Sequence, residues 1–212
     1  MQENRISLVM KSKGLLFGIV SFSAALAACG HDDPPPGINE NEVITAVTLI
    51  FTPEAGGAPV LAKFDDPDGD GAAAPTTDAI TLAAGKYDLT MKFENFLETP
   101  TEDVTPEILD EADQHYVFLT GSAVDGPASA QPDAPLRHTY NDLDVRGLPV
   151  GLRNKIEAKA GMGVLMLTLR HMPPVSGTAI KLPSDPETVK TSGFATVGGS
   201  NDVQVNFSVT VM

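Results

Sequence analysis

Short segments in which apolar and polar residues alternate, turns rich in Gly, Pro and Asp between them, and a near absence of helix starts predict an all-β chain. The expected fold over residues 42–212 is a single antiparallel β-sandwich of immunoglobulin-like architecture, with one short helix in an acidic loop.

Val43 to Thr52 reads VITAVTLIFT, with Val43, Val47, Leu49 and Phe51 in one phase and Thr48 and Thr52 in the other, a half-buried strand rich in β-branched residues. Pro59–Phe64, Ala79–Ala83 and Tyr87–Glu94 follow; the last sets Tyr87, Leu89, Met91 and Phe93 against Asp88, Thr90, Lys92 and Glu94. Thr105, Pro106 and Glu107 combine a capping hydroxyl, a proline at the first position and an acid in the first turn, which predicts a helix over Pro106–Ala112. It falls in an excursion from Glu98 to Asp113 that holds seven acids and no Lys or Arg. Further strands are expected at His115–Thr120, Leu136–Asn141, Gly163–Met172, Gly177–Leu182 and Val203–Val211.

The N-terminus has a different grammar. Lys11 and Lys13 precede an apolar run from Leu15 to Ala25, which ends in Leu26-Ala27-Ala28-Cys29. This is the layout of a secretory signal, and the run is too short and too interrupted by Gly18, Ser21 and Ser23 for a spanning helix of roughly 20 apolar residues. Residues 1–28 read as a lipoprotein signal peptide, with cleavage before a Cys29 that carries the lipid (diacylglycerol and palmitate). Met10-Lys11-Ser12-Lys13 would also make a signal start. Residues 29–41 form a tether in which Asp32, Asp33 and Pro34-Pro35-Pro36 favour a polar, extended chain. The expected location is the outer membrane, on its periplasmic or surface face.

The formal net charge is −14, and removing residues 1–28 leaves 11 basic and 27 acidic residues. Such a balance excludes nucleic acid as a partner and favours cations or basic proteins. Cys29 is the only cysteine, so neither an intrachain disulfide nor a thiolate metal site is available. No tryptophan is present to build a carbohydrate-stacking platform.

Two patterns point to metal chemistry. In Asp65-Asp66-Pro67-Asp68-Gly69-Asp70-Gly71, alternate carboxylates with a following glycine match the spacing that turns several oxygens toward one hard cation, so Asp66, Asp68 and Asp70 are candidate calcium ligands. An EF-hand glutamate is missing at the twelfth position, Thr77, and Asp78 is the nearest substitute; a solvated acidic turn fits the same residues. A shorter echo, Asn141-Asp142-Leu143-Asp144, fits an Asx-type turn as well. The second pattern is His115, His138 and His171, each in phase with apolar neighbours near a strand end. His115 begins its strand and His171 ends its own, so an antiparallel sheet can bring them together, with Glu111 or Asp113 alongside, as a transition-metal site. Three separately hydrogen-bonded rim histidines are the alternative, since no H-x-H or H-x-x-x-H pair gathers them locally. No G-x-S-x-G, H-E-x-x-H or phosphate-binding glycine loop occurs, which leads to the expectation of a protein that is not an enzyme.

The lipobox with its acidic tether, VITAVTLIFTP, DDPDGDG, TMKFENFLETPTEDVTPEI, EADQHYVF, TYNDLDVRGLPVGL and LTLRHMPP together resemble small lipoproteins of Bacteroidota-type bacteria, often labelled type 1 periplasmic binding fold superfamily. The label names a two-lobed α/β fold, whereas the strand pattern carries the all-β expectation. The resemblance implies localisation and domain extent and supplies no catalytic residue. The sequence thus leads to a lipid-anchored, non-enzymatic binding module, with calcium in its acidic loop and an outer-membrane protein or solute as partner. The alternatives are an adhesive surface sandwich and an accessory metal- or solute-capture protein for an outer-membrane uptake system.

Overall fold

A computed structural model describes residues 42–69 and 71–212. Every described residue lies in one compact unit. The expected signal peptide, Cys29, the expected tether and Asp70 lie outside the described residues.

The strands are β1 (Ala46–Pro53), β2 (Val60–Asp65), β3 (Thr76–Thr77), β4 (Ile80–Leu82), β5 (Gly85–Asn95), β6 (Glu102–Asp103), β7 (His115–Thr120), β8 (Val124–Asp125), β9 (Leu136–Tyr140), β10 (Arg153–Ala158), β11 (Gly161–His171) and β12 (Ser200–Val211). The helices are α1 (Thr105–Asp110) and α2 (Asp185–Ser192), with a 3-10 turn at Phe194–Thr196. The larger sheet runs β3-β2-β1-β5-β10-β9-β8, with β6 paired to β5, and the smaller runs β4-β12-β11-β7. The fold is all-β, and both sheets are mixed: β4 joins β12 and β8 joins β9 in parallel, each through a strand of two or three residues.

One apolar cluster draws on both sheets, with Leu49, Phe51, Leu89 and Phe93 from the larger and Val117, Leu119, Leu167 and Phe207 from the smaller. The alternation that made β1, β5 and β12 legible is the physical cause, because every second side chain of a strand meets the same face. Strand β7 is buried along its whole length. His115, Val117 and Leu119 share one phase, while Tyr116 and Phe118 join Met172, Val189 and Val197 in a second cluster beneath α2 and the 3-10 turn.

Three expectations need correction. Gly177–Leu182 is not a strand. Ser176 and Gly177 both take positive φ, and Lys181 turns inward, so the segment crosses as a loop held by the Val175–Thr178 bridge. The described residues hold two helices and a 3-10 turn rather than one helix. Asp185-Pro186-Glu187 opens the second with a proline and acids in the first turn, and Gly193, at φ 72°, closes it. Thr105 does not cap α1. Val104 is the N-cap, and the Thr105 hydroxyl accepts from the Phe93 amide at 2.9 Å, tying the helix to β5 instead.

Candidate metal centre

Strands β7 and β11 pair antiparallel, and the last step of their register sets His171 opposite His115. Both share the inward phase of Leu167, Leu169, Val117 and Leu119, so both imidazoles point between the sheets. Their rings stack at 4.6 Å with an interplanar angle of 12°.

The third group depends on an irregularity. Val203 stands opposite Leu169 and Asn201 opposite Arg170, which leaves Asp202 as an extra, unpaired residue in β12. A bulge of this kind re-aims a side chain. It turns Asp202 inward, where its carboxylate is fully buried 3.9 Å from His115 Nε2. The bulge is held from the opposite strand by Arg170, which donates to the carbonyls of Val197, Gly198 and Gly199 and to Asn201 Oδ1 at 2.6–2.8 Å. Gly199, at φ 80°, is required here: a Cβ would fall 2.0 Å from the His171 carbonyl oxygen. The fourth group is Glu42, from the segment leading into β1. Its Oε1 lies 2.8 Å from His115 Nε2 and its Oε2 3.8 Å from His171 Nδ1.

The set is arranged as ligands rather than as a closed hydrogen-bond network. One ligand atom from each of Glu42, His115, His171 and Asp202 lies within 4.8 Å of all the others, and among the described residues no other group of three or more such side chains does this. His115 Nδ1 donates to the Glu111 carbonyl oxygen at 3.1 Å, which leaves Nε2 with its lone pair toward the cluster. Eleven buried side-chain polar atoms among the described residues lack a hydrogen-bond partner, and six of them are here: Glu42 Oε2, His115 Nε2, His171 Nδ1 and Nε2, and both Asp202 oxygens. His115 Nε2 makes an ion-pair approach of 2.8 Å to Glu42 Oε1. Buried polar atoms are nearly always satisfied, so such a concentration of orphans calls for a missing partner.

Burial, reinforced by the charge of Glu42, pushes Asp202 up to about 8. For Glu42, burial acts in the same direction, but His115 outweighs it and holds the carboxyl below its ordinary value. Burial also opposes the charged form of His115, where contact with Glu42 wins and the pKa rises; at His171 burial and the neighbouring His115 win and it falls. Two imidazoles and two carboxylates suit zinc and the borderline first-row dications, whereas calcium prefers an all-oxygen shell.

His138 stands elsewhere, on β9, with Nε2 2.8 Å from Asn154 Oδ1 and the Tyr140 ring edge-on at 4.7 Å. Burial lowers its pKa to about 4 and keeps it neutral. Of the three expected histidines, the structure therefore gathers two. Glu111 does stand beside them, with its carboxylate 3.6 Å from His171 Nε2, whereas Asp113 offers its carbonyl to Arg146. In the acidic loop, Asp68 accepts from the Ala73 amide at 2.9 Å, and Asp78 is taken up by the Lys63 amide at 3.0 Å. Asp66 keeps one buried, unpartnered oxygen. The Asn141–Asp144 echo is a turn: Asp142 accepts from the amides of Gly151 and Arg153, and Asp144 from those of Arg146 and Leu148.

The two carboxylates of the cluster that the sequence does not single out, Glu42 and Asp202, carry no motif. The nearest signal is an acid placed directly before the regular Val203–Val211 alternation. No helix among the described residues is long and apolar enough to cross a membrane. Compared with known proteins, the chain matches no family model, and no curated protein or solved structure matches it either.

Proposed function

We propose that this is a lipid-anchored cell-envelope protein whose all-β domain binds one divalent transition-metal ion through Glu42, His115, His171 and Asp202. It acts as a metal-binding module rather than an enzyme. The observation that carries this reading is the convergence of two imidazoles and two carboxylates whose facing atoms are buried and unpartnered. The acidic balance of the chain supports a cationic ligand, and the lipobox at Cys29 supports the membrane anchor. Two sheets that share one core support a sandwich architecture of the immunoglobulin-like kind.

Calorimetric titration of the purified protein tests the reading. One Zn2+ is expected per chain; His115→Ala or Asp202→Asn weakens binding by at least a hundredfold, and His138→Ala leaves it unchanged. Absence of zinc binding, or equal binding by wild type and His115→Ala, would refute the assignment, and a calcium isotherm lost in Asp66→Ala would move the ion to the acidic loop.

A further inference from the structure

We infer that the acidic stretch around α1 is the ion's route into this site, and that Glu111 is the ligand that passes the cation to His171. The inference rests on the metal-binding reading above. It is carried by the contrast between Glu111 and the four residues behind it. The side chains of Glu42, His115, His171 and Asp202 are 0–8% exposed, whereas that of Glu111 is 42% exposed. An ion coming from solvent must meet an intermediate ligand before it reaches groups so enclosed.

His171 supplies the connection. Its two ring nitrogens face two different carboxylates, Nδ1 toward Glu42 at 3.8 Å and Nε2 toward Glu111 at 3.6 Å, and neither nitrogen has a hydrogen-bond partner. The ring therefore stands between an outer pair of donors, Glu111 and Nε2, and an inner set made of Nδ1 with Glu42, His115 and Asp202. Glu111 touches the second histidine too, through the carbonyl that fixes His115 Nδ1. It is thus in contact with both imidazoles and with solvent.

The surrounding charges point the same way. Burial raises the pKa of Glu107, one turn earlier on α1, and the charges of Glu42, Glu111 and Glu102 raise it further. The stretch from Glu98 to Asp113 has no basic residue to neutralise them. The cations packed against this side are otherwise engaged: Lys92 with Glu94 and Asp103, Arg146 with the carbonyls of Asp113 and Lys181, and Lys181 with Asp144 and the Ala112 carbonyl. A field of one sign leading to a low-dielectric site concentrates counter-ions and speeds association. The acid run thus has a use, to draw in dications.

Stopped-flow mixing with Co2+, followed by its visible d–d absorption, tests this on wild type and Glu111→Gln. The substitution keeps the main-chain carbonyl that holds His115. Association is expected to slow about tenfold, and release into excess chelator by a similar factor, so that Kd stays within about twofold. Raising the ionic strength should slow the wild type more than a Glu107→Gln, Glu111→Gln double variant. A Kd weakened tenfold or more through faster release would overturn the gate and make Glu111 a group that orients His171 from outside the coordination shell. Unchanged rates would overturn it as well, by placing the entry elsewhere. Failure of wild type to bind Co2+ at all would instead overturn the site on which the inference rests.

Discussion

Zinc at a hundredfold excess over its Kd should raise the unfolding free energy by about 2.7 kcal/mol, because a ligand that binds only the folded state stabilises it by mass action. For a chain of this size the melting temperature rises by roughly 5–10 °C. The informative variant is Asp202→Asn. In zinc it should lose most of that gain, since a carboxylate ligand is gone. In chelator it should be as stable as wild type or more so, because burial and the adjacent Glu42 make an ionised Asp202 unfavourable without a cation. Groups kept for a ligand at the expense of the empty fold show this crossing pattern. A variant that is less stable than wild type in both conditions would mark Asp202 as a structural acid.

Asp144→Ala should cost about 3–5 kcal/mol, among the largest effects of any single charge change in the domain. Lys181 is 1% exposed, with Nζ 2.9 Å from Asp144, 2.7 Å from the Ala112 carbonyl and 5.0 Å from the centre of the Tyr116 ring. Removing the carboxylate strands a buried ammonium and leaves the Arg146 and Leu148 amides without their acceptor. The pH dependence gives a sharper check. In the wild type, donors from Lys181, Leu148 and Arg146 outweigh burial and hold Asp144 below its ordinary value of 3.8. Its contribution is therefore present above that pH and lost as pH falls through the folded-state value. Burial outweighs the pairing at Lys181 and holds it below its ordinary 10.5. In Asp144→Ala the opposing charge is gone and the lysine pKa falls further. The unfolded chain then binds the proton that the fold rejects, so stability should recover as pH rises from neutrality toward the ordinary lysine value. Denaturant melts at neutral and alkaline pH measure this; a deficit that stays constant with pH would show that the ammonium is not stranded.

The histidine pair was readable from the sequence because phase and strand polarity are local properties. Val117 and Leu119 fix the inward side of β7, Leu167 and Leu169 that of β11, and the ends of two antiparallel strands then coincide. The two carboxylates were not readable. Strict alternation counted back from Val203 would send Asp202 outward, and only the bulge opposite Arg170 reverses it. Glu42 precedes the first regular strand, where no period applies. Strand β10 escaped notice because its inward face is Asn154, Ile156 and Ala158, a weak apolar signal between charged neighbours. Conversely, Gly177–Leu182 has the composition of a strand, yet Lys181 is drawn into the interior by Asp144, a tertiary contact that no local pattern encodes. His138 shared the phase signal of the other two histidines, but it lies on β9 of the larger sheet, where Asn154 from the neighbouring strand is its partner.

Diffraction from zinc-soaked crystals, recorded above and below the zinc absorption edge, bears most directly on the central claim. One anomalous peak is expected between Glu42, His115, His171 and Asp202, at about 2.0–2.2 Å from two imidazole nitrogens and two carboxylate oxygens. A peak confined to surface acids, or no ordered peak at all while these four side chains keep their positions, would contradict it.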